Sequence, residues 1–365
     1  MPSNNRIRIA CAGSGKTTRI AADACADDAN RSALITYTRN GSSELREKVF
    51  ICNGFIPIGM EVGTWFTFLL RHFVRPYQRA LYDQAPIRKL AFMEGRSTRY
   101  KKKSDIQHFY FRSPGEIYSD KIAQFACAVI EATGGLPLRR IEGIYDQIFI
   151  DEVQDLAGYD LDLLEHLLAT RVGVTMVGDV RQATYATNRS ARNKKFFGPK
   201  IIEKFEQWHR AGKSKLEFET RSHRCVQDIC TVADRFYPSL PSTQSENDLV
   251  TGHDGVFAVR HSDVSEYLET FAPQTLRLDR RTRNVPGCPI NFGAAKGKTF
   301  ERTLIFPHGK FLEVLRTGDV ASLGDASSTV AKVYVAVTRA RQSVGIVIPD
   351  GLSPVDIPIF SGAAD

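Results

Sequence analysis

Short apolar runs alternate along the chain with stretches of helical periodicity, the rhythm of an α/β protein. Ala33-Leu34-Ile35-Thr36-Tyr37, Gln147-Ile148-Phe149-Ile150 and Val172-Gly173-Val174-Thr175-Met176-Val177 each read as a strand. Continuous apolar runs of this kind suit a parallel sheet covered on both faces. Ile7 and Ile9 alternate with Arg6 and Arg8, so the first strand is expected to be less fully buried. A second α/β block follows, with candidate strands Leu216–Phe218, Val256–Val259, Thr303–Phe306 and Val344–Ile348 and a helical stripe of Val330, Val333, Tyr334 and Val337. The polar, basic stretch Gly198–Lys215 suggests the boundary, giving expected domains of 1–205 and 206–365.

Residues 75–120 interrupt the first block. They carry Arg75, Arg79, Arg88, Lys89, Arg96, Arg99, Lys101, Lys102, Lys103 and Arg112 beside Tyr77, Tyr82, Phe92, Tyr100, Phe109, Tyr110 and Phe111. Cations interleaved with aromatics mark this insertion as a candidate nucleic-acid surface.

The chain has 365 residues, 42% hydrophobic and 25% charged, ordinary values for a globular protein of two or three domains. A net charge of +8 and a pI near 9.1 fit a polyanionic partner. The seven cysteines include no Cys-x-x-Cys pair, which favours buried thiols in a reducing compartment. The start Met1-Pro2-Ser3 runs almost at once into a glycine-rich loop and fits no signal peptide. No apolar run approaches membrane-spanning length, so a cytoplasmic protein with no membrane partner is expected.

The glycine-rich loop is the strongest chemical signal. Ala10-Cys11-Ala12-Gly13-Ser14-Gly15-Lys16-Thr17 follows a strand, and Thr18-Arg19-Ile20-Ala21-Ala22 opens a helix. Gly13 and Gly15 let backbone N–H groups turn towards phosphate oxygens, and the helix N-terminus adds positive potential. Lys16 is expected to reach the β- and γ-phosphates and Thr17 to ligate Mg²⁺. Asp151 and Glu152 end the strand Ile148–Ile150, where a carboxylate faces the phosphate crevice of a parallel sheet. Asp151 is expected to hold the metal and Glu152 to orient or deprotonate the attacking water. Phosphoryl transfer also needs cations at the γ-phosphate, for which Arg224 and Arg339 of the second block are candidates. The run Tyr334–Arg341 reads as helical and places Arg339 on a helix.

The order of these segments resembles the UvrD/Rep-like superfamily-one DNA helicases. Ala12–Thr17 is similar to the family's first motif, Thr36–Asn40 with Glu44 to the next, and Gly63-Thr64-Trp65-Phe66 to another DNA-contacting segment. Asp151–Asp155 is close to the Mg²⁺ motif, and Val177–Gln182 with Tyr185 resembles the segment whose glutamine senses the γ-phosphate. Ser222–Cys225, Lys296-Gly297 and Val335–Ala340 resemble the later motifs. The resemblance implies two RecA-like P-loop motor domains with parallel sheets flanked by helices, plus a small basic subdomain inserted in the first. It also implies ATP and Mg²⁺ as cofactors. Gln182 then becomes the γ-phosphate sensor, Arg224 a γ-phosphate ligand and Arg339 the arginine finger. Thr18, His223 and Gly297 join the nucleotide contacts. Tyr37, Thr38, Arg39, Thr64, Trp65, Phe66, Tyr185 and Lys296 become DNA contacts, with Tyr37, Trp65, Phe66 and Tyr185 as stacking platforms.

The chain also departs from the family. Only nine residues precede Ala10, and they contain no adenine-reading glutamine segment. His223 stands where a stacking tyrosine is usual, Gly293 replaces a histidine and Thr299 a ribose-binding glutamate. Thr187 and Asn188 replace an aromatic–arginine pair, and the span from Arg224 to Lys296 is too short for the second large inserted subdomain. The implied activity is ATP-driven 3′-to-5′ movement on single-stranded or tailed duplex DNA. The alternative is a DNA-sensing ATPase that regulates a partner nuclease, similar to the helicase-like component of the Gabija system. A nucleotide kinase explains the loop but not the later motifs.

Overall fold

The apolar runs become strands. The computed structural model describes all residues except 1–3, 27–30, 99, 186, 188, 189, 325, 326 and 363–365, so Arg99 and Asn188 lie outside the described residues. Two compact units are present. The first comprises Met1–Ile9, Lys16–Val180 and Tyr185–Glu217; the second comprises Ala10–Gly15, Arg181–Thr184 and Phe218–Asp365.

The first unit is built on a six-stranded sheet. Its strands are β1 (Arg6–Ala10), β2 (Ser32–Thr36), β3 (Met60–Thr64), β7 (Gln147–Ile150), β8 (Gly173–Gly178) and β9 (Lys215–Glu219), in the order β3-β2-β7-β8-β1-β9. The pairs β3/β2, β2/β7, β7/β8 and β8/β1 are all parallel. Registers Ile9↔Gly178 and Ile150↔Met176 therefore bring the carboxyl ends of β1, β7 and β8 to one edge. Helices α1 (Lys16–Cys25) and α2 (Arg39–Asn53) cover the sheet with Ile20, Ala21, Ala24, Leu45 and Val49, packed on Leu34, Phe149 and Val177. The remaining helices are α3 (Trp65–Leu69), α5 (Ile122–Ala132), α6 (Leu136–Ile144), α7 (Tyr159–Leu168) and α8 (Ile201–Arg210).

Two expectations change here. Arg8 is buried, because it ion-pairs with Asp23 and with Glu217 at 3.4 Å; β1 is an interior strand despite its alternating cations. The strand at Leu216–Phe218 joins this sheet rather than the second block. Lys215 N–H donates to Asn5 O at 2.9 Å, tying the start of β9 to the residue before β1. Asn5 closes that corner. Its Nδ2 donates to Leu168 O and Lys213 O at 3.0 and 2.9 Å, and its Oδ1 accepts from Val174 N at 3.0 Å.

The insertion folds as a three-stranded sheet of β4 (Lys89–Ala91), β5 (Phe111–Ser113) and β6 (Glu116–Tyr118), ordered β4-β6-β5, with α4 (Ile106–Tyr110). Tyr82, Phe109, Tyr110 and Phe111 are buried in it, with Tyr82 stacked on Phe111 at 3.9 Å between ring centres. These four aromatics are core, not an open binding face. Phe92 and Tyr100 remain exposed.

In the second unit, β10 (Arg221–Ser222) pairs in parallel with β11 (Gln244–Ser245). The main sheet contains β12 (Gly255–Arg260), β13 (Gln274–Arg277), β14 (Ile290–Asn291), β15 (Phe300–Phe306) and β16 (Ala340–Ile348), ordered β12-β16-β15-β13-β14 with every pair parallel. Helices α9 (Gln227–Asp234), α10 (Val264–Phe271), α11 (Gly309–Thr317) and α12 (Ser327–Val337) flank it. Ile229, Phe311, Val333 and Val337 pack on Leu276, Ile305, Val344 and Ile346. Both units are thus parallel sheets flanked by helices, as the α/β reading expects. Helix α12 stops at Val337, so Arg339 sits in the turn before β16 rather than on a helix. Among the described residues no helix is long and apolar enough to cross a membrane.

His253 is enclosed in the second unit. Its ring lies between Phe257 and Phe271, at 4.2 and 3.8 Å between centres, and its Nε2 meets the Tyr267 hydroxyl at 2.9 Å. Burial, reinforced by the Arg302 guanidinium, pushes its pKa down to about 4.

The two tryptophans, Trp65 and Trp208, are both buried in the first unit, so their fluorescence reports its unfolding alone. Asn5→Ala leaves two carbonyls and one N–H without a partner and is expected to lower that unit's stability by about 2–3 kcal/mol. Urea unfolding followed at tryptophan checks this. For His253 the unfolded ring, near pKa 6.5, binds more protons than the folded one. Its contribution to stability is therefore complete above about pH 6.5 and is lost as pH falls towards 4. The difference in unfolding free energy between the native chain and His253→Phe should flatten above pH 6.5 and slope below it; a difference independent of pH would contradict a half-buried ring held neutral.

Candidate functional site

The loop after β1 is held from behind within the second unit. Cys11 N–H donates to Glu219 O at 2.9 Å, Ser222 Oγ donates to Ala12 O at 2.8 Å, and His223 N–H donates to Gly13 O at 3.0 Å. Ala12 N–H reaches the Tyr334 hydroxyl at 3.3 Å. Gly13 and Gly15 both adopt left-handed φ, 78° and 75°, which L side chains rarely tolerate. Their requirements differ. A Cβ on Gly13 would lie 2.5 Å from Arg224 Cβ and 2.7 Å from Ser222 Oγ, whereas one on Gly15 meets nothing within 4 Å. The Ser14 hydroxyl oxygen is buried with no hydrogen-bond partner among the described residues. The chain then enters α1 at Lys16, with Thr18 exposed on its first turn.

In the first unit, Lys16 Nζ pairs with Glu152 Oε1 at 2.7 Å, and Thr17 Oγ1 donates to Asp151 Oδ2 at 2.9 Å. Burial alone would push the Lys16 ammonium down. The Glu152, Asp151 and Asp179 carboxylates outweigh it and hold Lys16 above its ordinary value. Burial raises Asp151, Lys16 pulls it back, and Glu152 pushes it up again, leaving it raised overall. Glu152 has a left-handed φ of 58°, uncommon outside glycine, and its N–H donates to Asp151 Oδ1 at 2.8 Å. Gln154 Nε2 also donates to the Glu152 carboxylate. Fully buried Asp179 follows β8 at the same sheet edge. Neither Gln154 nor Asp179 was a candidate site residue, although both stand in the quoted runs after β7 and β8. The adjacent hydroxyl and carboxylate of Thr17 and Asp151 are hard oxygen donors of the kind Mg²⁺ takes, and that ion needs few protein ligands because it retains water.

The other phosphate-facing candidates are in the second unit. Arg339 is fully buried; its Nη2 reaches Gln182 Oε1 at 3.3 Å, and its Nε donates to Val335 O at 3.0 Å. Arg224, whose Cβ backs Gly13, donates from Nη1 to Thr338 O at 3.2 Å. His223 is exposed and pairs with Glu246 at 2.9 Å. Lys296 is half-buried and Gly297 exposed, with φ 82°. The Ser222 and Tyr334 contacts with the loop carry no local signal, because they depend on residues more than 200 positions away.

The candidate DNA contacts separate into two groups. Trp65 is only 1% exposed, with its Nε1 donating to Asp160 Oδ1 at 2.7 Å, and Phe66 is 8% exposed. Rings so enclosed have no free face for a base, so both are corrected from platforms to core. Tyr185 is exposed and Tyr37 half-buried, edge-on to Phe66 at 5.7 Å. Thr38 and Thr64 cap helices, accepting from Gly41 N–H and Thr67 N–H at 3.0 and 3.3 Å. Arg39 is exposed on the first turn of α2. Thr187 is buried and donates to Asp160.

No known protein family matches the chain, and no curated protein is similar to it. Among solved structures it is similar to the crystal structure of arterivirus nonstructural protein 10 (helicase), with 15% identity and a TM-score of 0.45 over 95% of this chain and 60% of that one. It is similar to the complex of that protein with DNA at 16% identity and a TM-score of 0.48, covering 95% of this chain and 61% of that one. The PRRSV helicase gives 14% identity and a TM-score of 0.45, covering 95% and 53%. The chain thus spans about three-fifths of the length of the first two.

The loop geometry ranks two substitutions. Gly15→Ala incurs backbone strain alone, about 1–2 kcal/mol. Gly13→Ala adds the clash with Ser222 and Arg224 and should lower the melting temperature clearly further. Equal losses by calorimetry would show that Ser222–Arg224 does not back the loop in solution.

Proposed function

We propose that this chain is a Mg²⁺-dependent ATPase that moves along single-stranded DNA, in the 3′-to-5′ direction that the motif order implies. One observation carries the hydrolytic part. The lysine and threonine opening α1 meet the paired carboxylates ending β7, Lys16 with Glu152 and Thr17 with Asp151. A γ-phosphate competes with Glu152 for the Lys16 ammonium. Once Lys16 turns to phosphate, Glu152 is free to orient the attacking water or take its proton, while Gln154 keeps the carboxylate aimed. Thr17 and Asp151 would hold Mg²⁺, which neutralises charge on the phosphates when bound. Gln182 and Arg339 act as a bonded pair that reads the γ-phosphate, with Arg224 beside Gly13 as a second cation. The basic insertion and Arg39 supply phosphate contacts for the strand.

A second reading is a DNA-sensing ATPase that controls a partner protein such as a nuclease. The exposed apolar residues Phe50, Ile51, Phe55 and Ile58 favour it, because clustered exposed apolar side chains mark protein contacts.

The test is ATP turnover with and without single-stranded DNA, followed by strand displacement on a 3′-tailed duplex. Stimulation by DNA, lost in Lys16→Ala, with displacement is expected. Glu152→Gln should retain ATP binding and lose turnover by several orders of magnitude. Turnover indifferent to DNA would sink the translocase, and stimulation without displacement would favour the sensor.

A further inference from the structure

Phe92 stands out among the aromatics of the insertion. It directly follows β4 and is 66% exposed, and its neighbour Met93 is 48% exposed. Inwards, Phe92 meets Phe66 edge-on at 5.8 Å, and Phe66 meets Tyr37 edge-on at 5.7 Å. The three rings form a continuous ladder, in which Phe66 is the buried rung and Phe92 the open end. Phe66 holds one side of Phe92 while 66% of that residue stays exposed, and a ring already positioned loses less entropy on stacking.

The charge of the insertion that carries it selects the partner. Residues 75–120 hold ten Lys and Arg against five Asp and Glu, an excess of five in a chain whose whole net charge is +8. Arg88, Lys89, Arg96, Lys101, Lys102, Lys103 and Arg112 are all exposed. A rigid aromatic face among unburied cations fits a chain that alternates flat bases with phosphates. A hydrophobic protein partner does not call for that excess of cations.

We propose that Phe92, with Met93 beside it, is a base-stacking platform for single-stranded nucleic acid on the inserted subdomain. This assignment rests on the single-strand-binding reading above and supplies the stacking surface that buried Trp65 and Phe66 do not. It is expected to contribute through the ring rather than through charge.

The test is fluorescence anisotropy with a labelled oligothymidylate, titrated into the full chain at several salt concentrations. Phe92→Ala should weaken binding roughly tenfold, with the slope of log affinity against log salt unchanged, and Phe92→Trp should bind as tightly as the native chain or more so. The triple substitution of Lys101, Lys102 and Lys103 by Ala should instead flatten the slope. Phe92→Ala binding within twofold of the native chain would overturn the platform, and so would a loss accompanied by a flatter slope. If the native chain binds no oligothymidylate, the reading on which the platform rests fails first, a result that the substitutions do not mimic.

Discussion

The glycine-rich turn Ala10–Gly15 owes its shape to the way it is pinned within the second unit. Three hydrogen bonds from the segment 219–223 fix its backbone, and two left-handed glycines let it curl. A peptide turned this way presents N–H groups outward, which is what an anion needs, and it costs little further ordering when the anion arrives. The chain continues without a break into Lys16 and Thr17. Within the first unit these two side chains make their own contacts, Lys16 with Glu152 and Thr17 with Asp151.

The charges around Lys16 follow from that placement. One ammonium faces Glu152 and Asp151 and feels Asp179 in a poorly solvated setting. Burial opposes charge on both the lysine and Asp151; the carboxylates outweigh it at Lys16, whereas Lys16 offsets it only in part at Asp151. Such a cluster contributes little to stability for its cost in desolvation. It makes sense as a prepared arrangement in which a polyphosphate and a cation can replace the internal pairings. The left-handed Glu152 is of a piece with this, since strain in a non-glycine residue persists only where surrounding contacts hold it.

Much of the fold could be read from local pattern. β2, β7 and β8 are continuous apolar runs, and burial on both faces in a parallel sheet requires such runs. The pattern was misleading where a long-range partner decided the outcome. Arg8 alternates with isoleucines as a surface residue would, yet Asp23 and Glu217 make its burial tolerable. β9 has the composition of any half-exposed strand, and its place in the first sheet comes from pairing beside β1 and from the tie through Asn5. Arg339 follows a helical stripe, but the helix ends two residues earlier, and the side chain is instead held by Gln182 and Val335. Within the candidate site the loop and the acids announced themselves by type and spacing. Ser222, Tyr334 and Gln154 did not, because a hydroxyl or amide looks alike in sequence whether it faces water or a partner elsewhere in the fold.

The aromatics expose the same limit from the other side. Sequence marks which rings stand near cations or in recognisable segments, but a ring can stack a base only if a face is open. Trp65 satisfies its indole N–H with Asp160, and Phe66 closes over Tyr37, so both were committed to the core during folding. Tyr82, Phe109, Tyr110 and Phe111 are likewise needed to hold together an insertion whose strands are only three residues long. A subdomain that small has little other apolar material for a core, so most of its rings must turn inward. What remains outside is then informative, because folding has already claimed every ring it requires. Phe92 lies beyond that requirement, packed on Phe66 yet left 66% exposed, in an insertion whose cations outnumber its acids.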